Sequence, residues 1–91
     1  MDSKRNTFYR KMAAAADIPK DLAVAAVLIT VTGQEELYIE NYKSIVEYTD
    51  CRLVLLAKNV RVEVLGKRLC ITYYTKEEMK ITGHIEQINY L

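Results

Sequence analysis

Val60-Arg61-Val62-Glu63-Val64-Leu65-Gly66-Lys67-Arg68-Leu69-Cys70-Ile71-Thr72-Tyr73 is the stretch that decides the fold class. Val60, Val62 and Val64 fall on one side, Arg61 and Glu63 on the other. That two-residue alternation is the mark of a strand with one face in the core and one in water. Gly66-Lys67 reads as a turn, after which Leu69, Ile71 and Tyr73 alternate with Cys70 and Thr72. β-Branched and aromatic side chains of this kind suit a pleated, half-buried surface.

The same pattern extends in both directions. Upstream, Leu53 and Leu55 begin a strand that ends near Lys58-Asn59, a tight hairpin in which asparagine tolerates the left-handed region. Ile45 to Tyr48 form the strand before it, closed by Thr49-Asp50. Leu37 and Ile39 alternate with Tyr38 and Glu40 and lead into a turn at Asn41-Tyr42-Lys43. Val27, Ile29 and Val31 line one side of a first strand that stops at Thr32-Gly33. Downstream, Thr75-Lys76-Glu77 turns the chain into Met79 and Ile81, and Gly83 separates these from Ile85, Ile88 and Tyr90. The apolar phase slips between Ile85 and Ile88, as it does at a β-bulge. The reading gives about eight short strands at roughly 8–12-residue spacing, hence an all-β, mostly antiparallel sandwich or roll. The connections are too short for crossover helices, and no fixed coil-length repeat supports a parallel solenoid.

Residues 1–17 differ. Lys4, Arg5, Arg10 and Lys11 against Asp2 give the first eleven residues a net charge of +3, and the remaining eighty carry −2. Phe8 and Met12 lie four apart and Ala13 to Ala16 favour helix, so a short basic α-helix is expected before Pro19. The expected layout is a basic helical segment over 1–17 and one all-β domain over 18–91.

Ninety-one residues allow a single core. Thirteen bases and twelve acids leave +1, so no global field draws in nucleic acid or an anionic membrane. Two cysteines, Cys51 and Cys70, form neither a disulfide framework nor a zinc pattern and are expected to be reduced and buried. The apolar run from Leu22 to Val31 is shorter than the ~20 residues a membrane helix needs. The basic start lacks the long apolar core of a signal peptide. A cytoplasmic protein is expected.

Catalysis needs convergent groups, and few are present. His84 is the single histidine and sits among turn residues. Leu69 and Ile71 flank Cys70 as in packing, and Glu35-Glu36 and Glu77-Glu78 read as solvated strand edges. No phosphate-binding glycine loop or metal spacing occurs. The sequence therefore predicts no catalytic, metal or cofactor-binding residue and no enzyme. Seven tyrosines remain to be explained. Tyr38, Tyr42 and Tyr48 lie close together and Tyr73-Tyr74 are adjacent. They suit a protein-contact face or a stacking platform for single-stranded nucleic acid. Glu40, Glu47 and Asp50 weigh against the second. Phe8, Tyr9 and Met12 in the basic segment fit a partner protein, a peripheral membrane contact or a cap on an open sheet end. A marginal core also favours homo-oligomers.

The run Ile29-Thr30-Val31-Thr32-Gly33, then Leu37-Tyr38-Ile39-Glu40-Asn41-Tyr42 and Ile45 to Tyr48, resembles the YabP/YqfC family of sporulation proteins, and its YqfC branch most of all. The similarity continues through Val62 to Leu69, Thr75-Lys76-Glu77-Glu78 and Ile81-Thr82-Gly83-His84-Ile85, with Ile18-Pro19-Lys20-Asp21 as its lead-in. Ser44 and Lys58-Asn59 stand where the family pattern has glycine. The resemblance implies a role in endospore formation without catalysis or cofactor. It also implies a mother-cell product in the cytoplasm or at the forespore membrane, working with a YqfD-type membrane protein. Gly33, Glu40, Asn41, Tyr42, Gly66 and Gly83 are the positions it carries over. The glycines are expected to form turns, and Glu40-Asn41-Tyr42 either a structured turn or an exposed contact.

Overall fold

A computed structural model describes residues 26–91. The 1–17 segment, with Phe8, Tyr9 and Met12, and the boundary at residue 18 lie outside the described residues. Alternating apolar residues build β1 (Leu28–Thr32), β2 (Glu36–Glu40), β3 (Tyr42–Tyr48), β4 (Arg52–Ala57), β5 (Val60–Tyr74) and β6 (Glu78–Tyr90). All six join one antiparallel sheet in the order β1-β2-β6-β5-β4-β3. The all-β, antiparallel expectation holds, but the strand count does not. Gly66-Lys67 and Gly83 do not end strands; each is a bend inside a longer one, so eight expected strands become six.

The bend forms where β5 and β6 cross. Leu65 lies opposite Gln87 while Gly66 lies opposite Ile85, which leaves Glu86 as an extra residue. This is the phase slip expected between Ile85 and Ile88. Next to it, Lys67 pairs with His84 but Cys70 with Thr82, so β5 carries its own extra residue, and Arg68 takes φ 53°. Bulges of this kind bend a strand and increase its twist. A Cβ on Gly66 would overlap the His84 carbonyl oxygen. A Cβ on Gly83, whose φ is 144°, would stand 2.6 Å from the Arg68 carbonyl oxygen. Each strand thus has its glycine where the partner's backbone presses on it.

The two halves of β5 and β6 then carry different neighbours. Residues 60–65 of β5 pair with β4, and residues 78–82 of β6 pair with β2. Leu37 and Ile39 of β2 nevertheless share one core with Leu53 and Leu55 of β4, although β6 and β5 separate those strands in the sheet. The sheet is therefore rolled over a single core, and two separate sandwich sheets do not form. Val62, Val64, Met79 and Ile81 complete its fully buried centre, each contributing about 2 kcal/mol by burial.

Chain reversals follow local chemistry. Asn59 takes φ 63° in the β4–β5 hairpin, the left-handed conformation that asparagine tolerates. The expected turn at Asn41-Tyr42-Lys43 contracts to Asn41 alone, because Tyr42 and Lys43 already belong to β3. Asn41 has φ 69°. Its Nδ2 donates to the Ala26 carbonyl at 2.8 Å, and its backbone N–H donates to the Glu77 carbonyl at 2.7 Å. That one residue carries the chain from β2 to the opposite end of the sheet. Both cysteines are free and exposed, against the expectation of burial. The bulge at Arg68 turns Leu69 and Ile71 inward and Cys70 outward, and Cys51 sits in the β3–β4 turn.

Replacing Gly66 by alanine should destabilise the protein by about 2 kcal/mol or more in urea unfolding, since backbone must move to admit the methyl group. Gly33→Asn, in a turn with open space around it, should cost under ~0.5 kcal/mol. Equal losses for the two variants would contradict the bend.

Candidate functional site

Directly opposed residues in a sheet share a face, so register places the exposed side chains. Across the outward face of β1, β2, β6 and the second half of β5, Thr30, Tyr38, Lys80 and Tyr73 form one row. Leu28, Glu40 and Glu78 form the row on one side of it, and Thr32, Glu36, Thr82 and Cys70 the row on the other. Lys80 Nζ is 3.1 Å from Glu36 Oε1. Tyr38 and Tyr73 thus flank a lysine inside a ring of three carboxylates. Hydrogen bonding to Glu78 and partial desolvation, with added repulsion from Glu78 and Glu40, push the Tyr38 phenol up to about 12.

The expected trio Tyr38, Tyr42 and Tyr48 does not come together. Tyr42 is a core residue, 7% exposed, and its hydroxyl donates to the Thr75 carbonyl. Burial and then Tyr74 push its phenol up. Tyr48 is half exposed, and its hydroxyl accepts the Ile71 backbone N–H at 3.0 Å. Tyr48 ties β3 to the second half of β5 and Tyr42 ties it to the β5–β6 turn, where no strand pairing joins them. Ile45, Val46 and Tyr74 are exposed. Tyr73 and Tyr74, the adjacent pair, are both exposed. A register shift between Ile71 and Tyr73 takes Tyr73 out of the phase of Leu69 and Ile71 and sets it opposite Lys80, with Tyr74 opposite buried Met79; the sequence carries no signal for that shift.

The other family-motif positions, and Ser44 where the family pattern has glycine, take different places. Gly33 turns the chain at φ 55°, Glu40 faces outward beside Glu78, and Ser44 lies at a register shift in β3. On the outward face of β3, β4 and β5, Arg52 Nε meets Glu63 at 2.8 Å and its Nη1 meets Glu47 at 2.9 Å. Asn89 Nδ2 donates to the other Glu63 oxygen at 2.9 Å. Asn89 first and Arg52 second hold the Glu63 carboxyl below its ordinary value. Glu47 and Glu63 flank Val54, which is 3% exposed beneath this lattice.

Chemistry-bearing groups stay scattered. His84 is half buried opposite Lys67, and Cys70 faces outward opposite Thr82. Among the described residues, no three His, Cys, Asp or Glu side chains are grouped to hold a metal ion. An open groove beside the β4–β5 hairpin is lined by Leu56, Ala57, Asn59, Val60, Arg61 and Leu91, with Arg61 its only ionisable side chain. No helix among the described residues is long and apolar enough to cross a membrane.

A single rolled antiparallel sheet, with Tyr38, Lys80, Tyr73 and their carboxylates on an open face, defines a small all-β protein. Residues 25–91 match the model of the YabP family, and the chain belongs to that family. It is 25% identical to the uncharacterized protein YqfC of Bacillus subtilis (strain 168), over all of this chain and 98% of the relative. No solved structure matches it.

Two titrations test these electrostatics. A depressed Glu63 pKa adds stability that is present above the ordinary carboxylate value, about 4.3, and is lost as pH falls through the folded value. Between pH 7 and 3 the wild type should therefore lose more stability than Glu63→Gln; parallel curves would contradict the lattice. In alkaline titration followed by the Tyr38 ring carbon shift, Glu78→Gln should bring the phenol down towards ~10. An unchanged midpoint would remove Glu78 as the cause.

Proposed function

We propose that this chain is a non-enzymatic sporulation protein of the mother cell that acts in spore-envelope assembly by binding other proteins. Membership of the YabP family carries the sporulation part of this reading. The contact part rests on the outward row of Tyr38, Lys80 and Tyr73. Tyrosine buries large area while keeping a polar end, which is why it is enriched at protein interfaces. Glu36, Glu40 and Glu78 around the row favour a partner that offers lysine or arginine beside apolar side chains. A YqfD-type sporulation membrane protein, met on its cytoplasmic side at the forespore membrane, is the partner of choice. Phe8, Tyr9 and Met12 among the basic residues of 1–17 supply a second contact, to that partner or to the membrane surface. The same carboxylates oppose a single-stranded nucleic acid on this face, since its phosphates would meet negative charge.

The test is a quantitative pull-down of tagged full-length protein from sporulating cells, with growing cells as control. Enrichment of a sporulation membrane protein, lost in the Tyr38→Ala/Tyr73→Ala variant, is the expected result. Equal recovery of ribosomal or nucleic-acid material from both cultures would overturn the reading, as would membrane-protein enrichment that the double variant leaves intact.

A further inference from the structure

Among the described residues the sheet has four outer edges, and they are not alike. The second half of β5 is covered by β3 and its turn, with the Gly66, Leu69 and Ile71 N–H groups donating to the Cys51 carbonyl, the Asp50 carbonyl and the Tyr48 hydroxyl. β3 is broken by register shifts at Tyr42/Ser44 and Ile45/Glu47, carries Lys43 and Glu47, and is tied down by Tyr42 and Tyr48. The second half of β6 holds the extra residue Glu86, and its Ile85 N–H already donates to the Gln34 carbonyl at 2.7 Å. Charges and bulges of this sort are what keep sheet edges from pairing with other chains. β1 has neither. Leu28-Ile29-Thr30-Val31-Thr32 is free of charge, proline and glycine, and its five residues pair with β2 without a shift. Among the described residues no strand pairs its other side, and Leu28 and Val31 are 47% and 50% exposed.

We propose that this edge pairs with the same edge of a second copy of the chain, antiparallel and centred on Thr30. The strand is self-complementary about that residue. Thr30 would face Thr30, Ile29 of each copy would face Val31 of the other, and Leu28 would face Thr32. Odd-numbered residues stay on the core side, where Ile29 already packs, so the apolar face runs unbroken across the two-fold axis. Even-numbered residues stay outward, giving a threonine pair at the centre. A two-fold contact of this kind is closed and stops at two copies. It joins the two sheets into one of twelve strands and repeats the tyrosine row on both sides of the axis. The inference deepens the contact-module reading by naming one of its partners.

Thr30 is exposed and points away from the core, so charge there leaves the monomer folded. In sedimentation equilibrium of the full chain, the wild type should form a two-copy species. Thr30→Lys and Thr30→Glu should each sediment as folded monomers, since like charges would meet at the axis. Mixed in equal amounts, they should associate about tenfold or more tightly than either does alone. A wild-type chain that stays monomeric up to ~100 μM would overturn the proposal, with residues 1–25 then the next occupant to test on the edge. A two-copy species indifferent to both substitutions would overturn it as well. Neither result touches the pull-down, which reads Tyr38 and Tyr73 on the sheet face.

Discussion

The contact between two backbones at the crossing of β5 and β6 governs the rest of the molecule. Gly66 lies under the His84 carbonyl and Gly83 under that of Arg68, so each strand bends at the place where the other does. Without that coincidence a six-stranded sheet with long β5 and β6 would lie open, and Leu37 and Ile39 would have no opposite wall. With it, β2 folds over β4 and a core forms from a single sheet. The bulges beside the glycines also reset the inward phase. Val62 and Val64 point in before the bend, Leu69 and Ile71 after it, and Cys70 is turned to water.

Much of this was legible in the sequence. The valine ladder at 60–64, the hairpin at Lys58-Asn59, the turn at Thr32-Gly33 and the slip after Ile85 all follow from local periodicity and turn chemistry. Gly66 and Gly83 were not readable in the same way. A glycine that ends a strand and a glycine that lets another backbone approach have the same residue identity. What separates them is the other strand, distant in sequence. The tyrosines repeat the lesson. Tyr42 lies on the core side because Asn41 alone turns the chain before it, while Tyr38 lies outward on an unbroken strand.

The faces that result have different characters. Around β3, β4 and the first half of β5, Arg52, Glu47, Glu63 and Asn89 satisfy one another above Val54, which is a surface finished by its own interactions. Around β1, β2, the first half of β6 and the second half of β5, the carboxylates outnumber the lysine and two tyrosines remain partly open. Unfinished polar and aromatic groups on a rigid sheet are a natural place for a partner to complete them. Cys70 shares the outward row of Glu36 and Thr82, Cys51 sits in the turn before Arg52, and His84 lies opposite Lys67, so the three do not converge.

The crossing itself is best tested by cross-strand Hα and amide Overhauser contacts in the labelled full-length protein. Contacts joining Gly66 to Ile85, Leu65 to Gln87 and Cys70 to Thr82 in one molecule are the result this account predicts, because only continuous, bulged β5 and β6 bring all three pairs together. A short-range turn pattern across 66–69, with Cys70 and Gly66 each paired to unrelated strands, would contradict it.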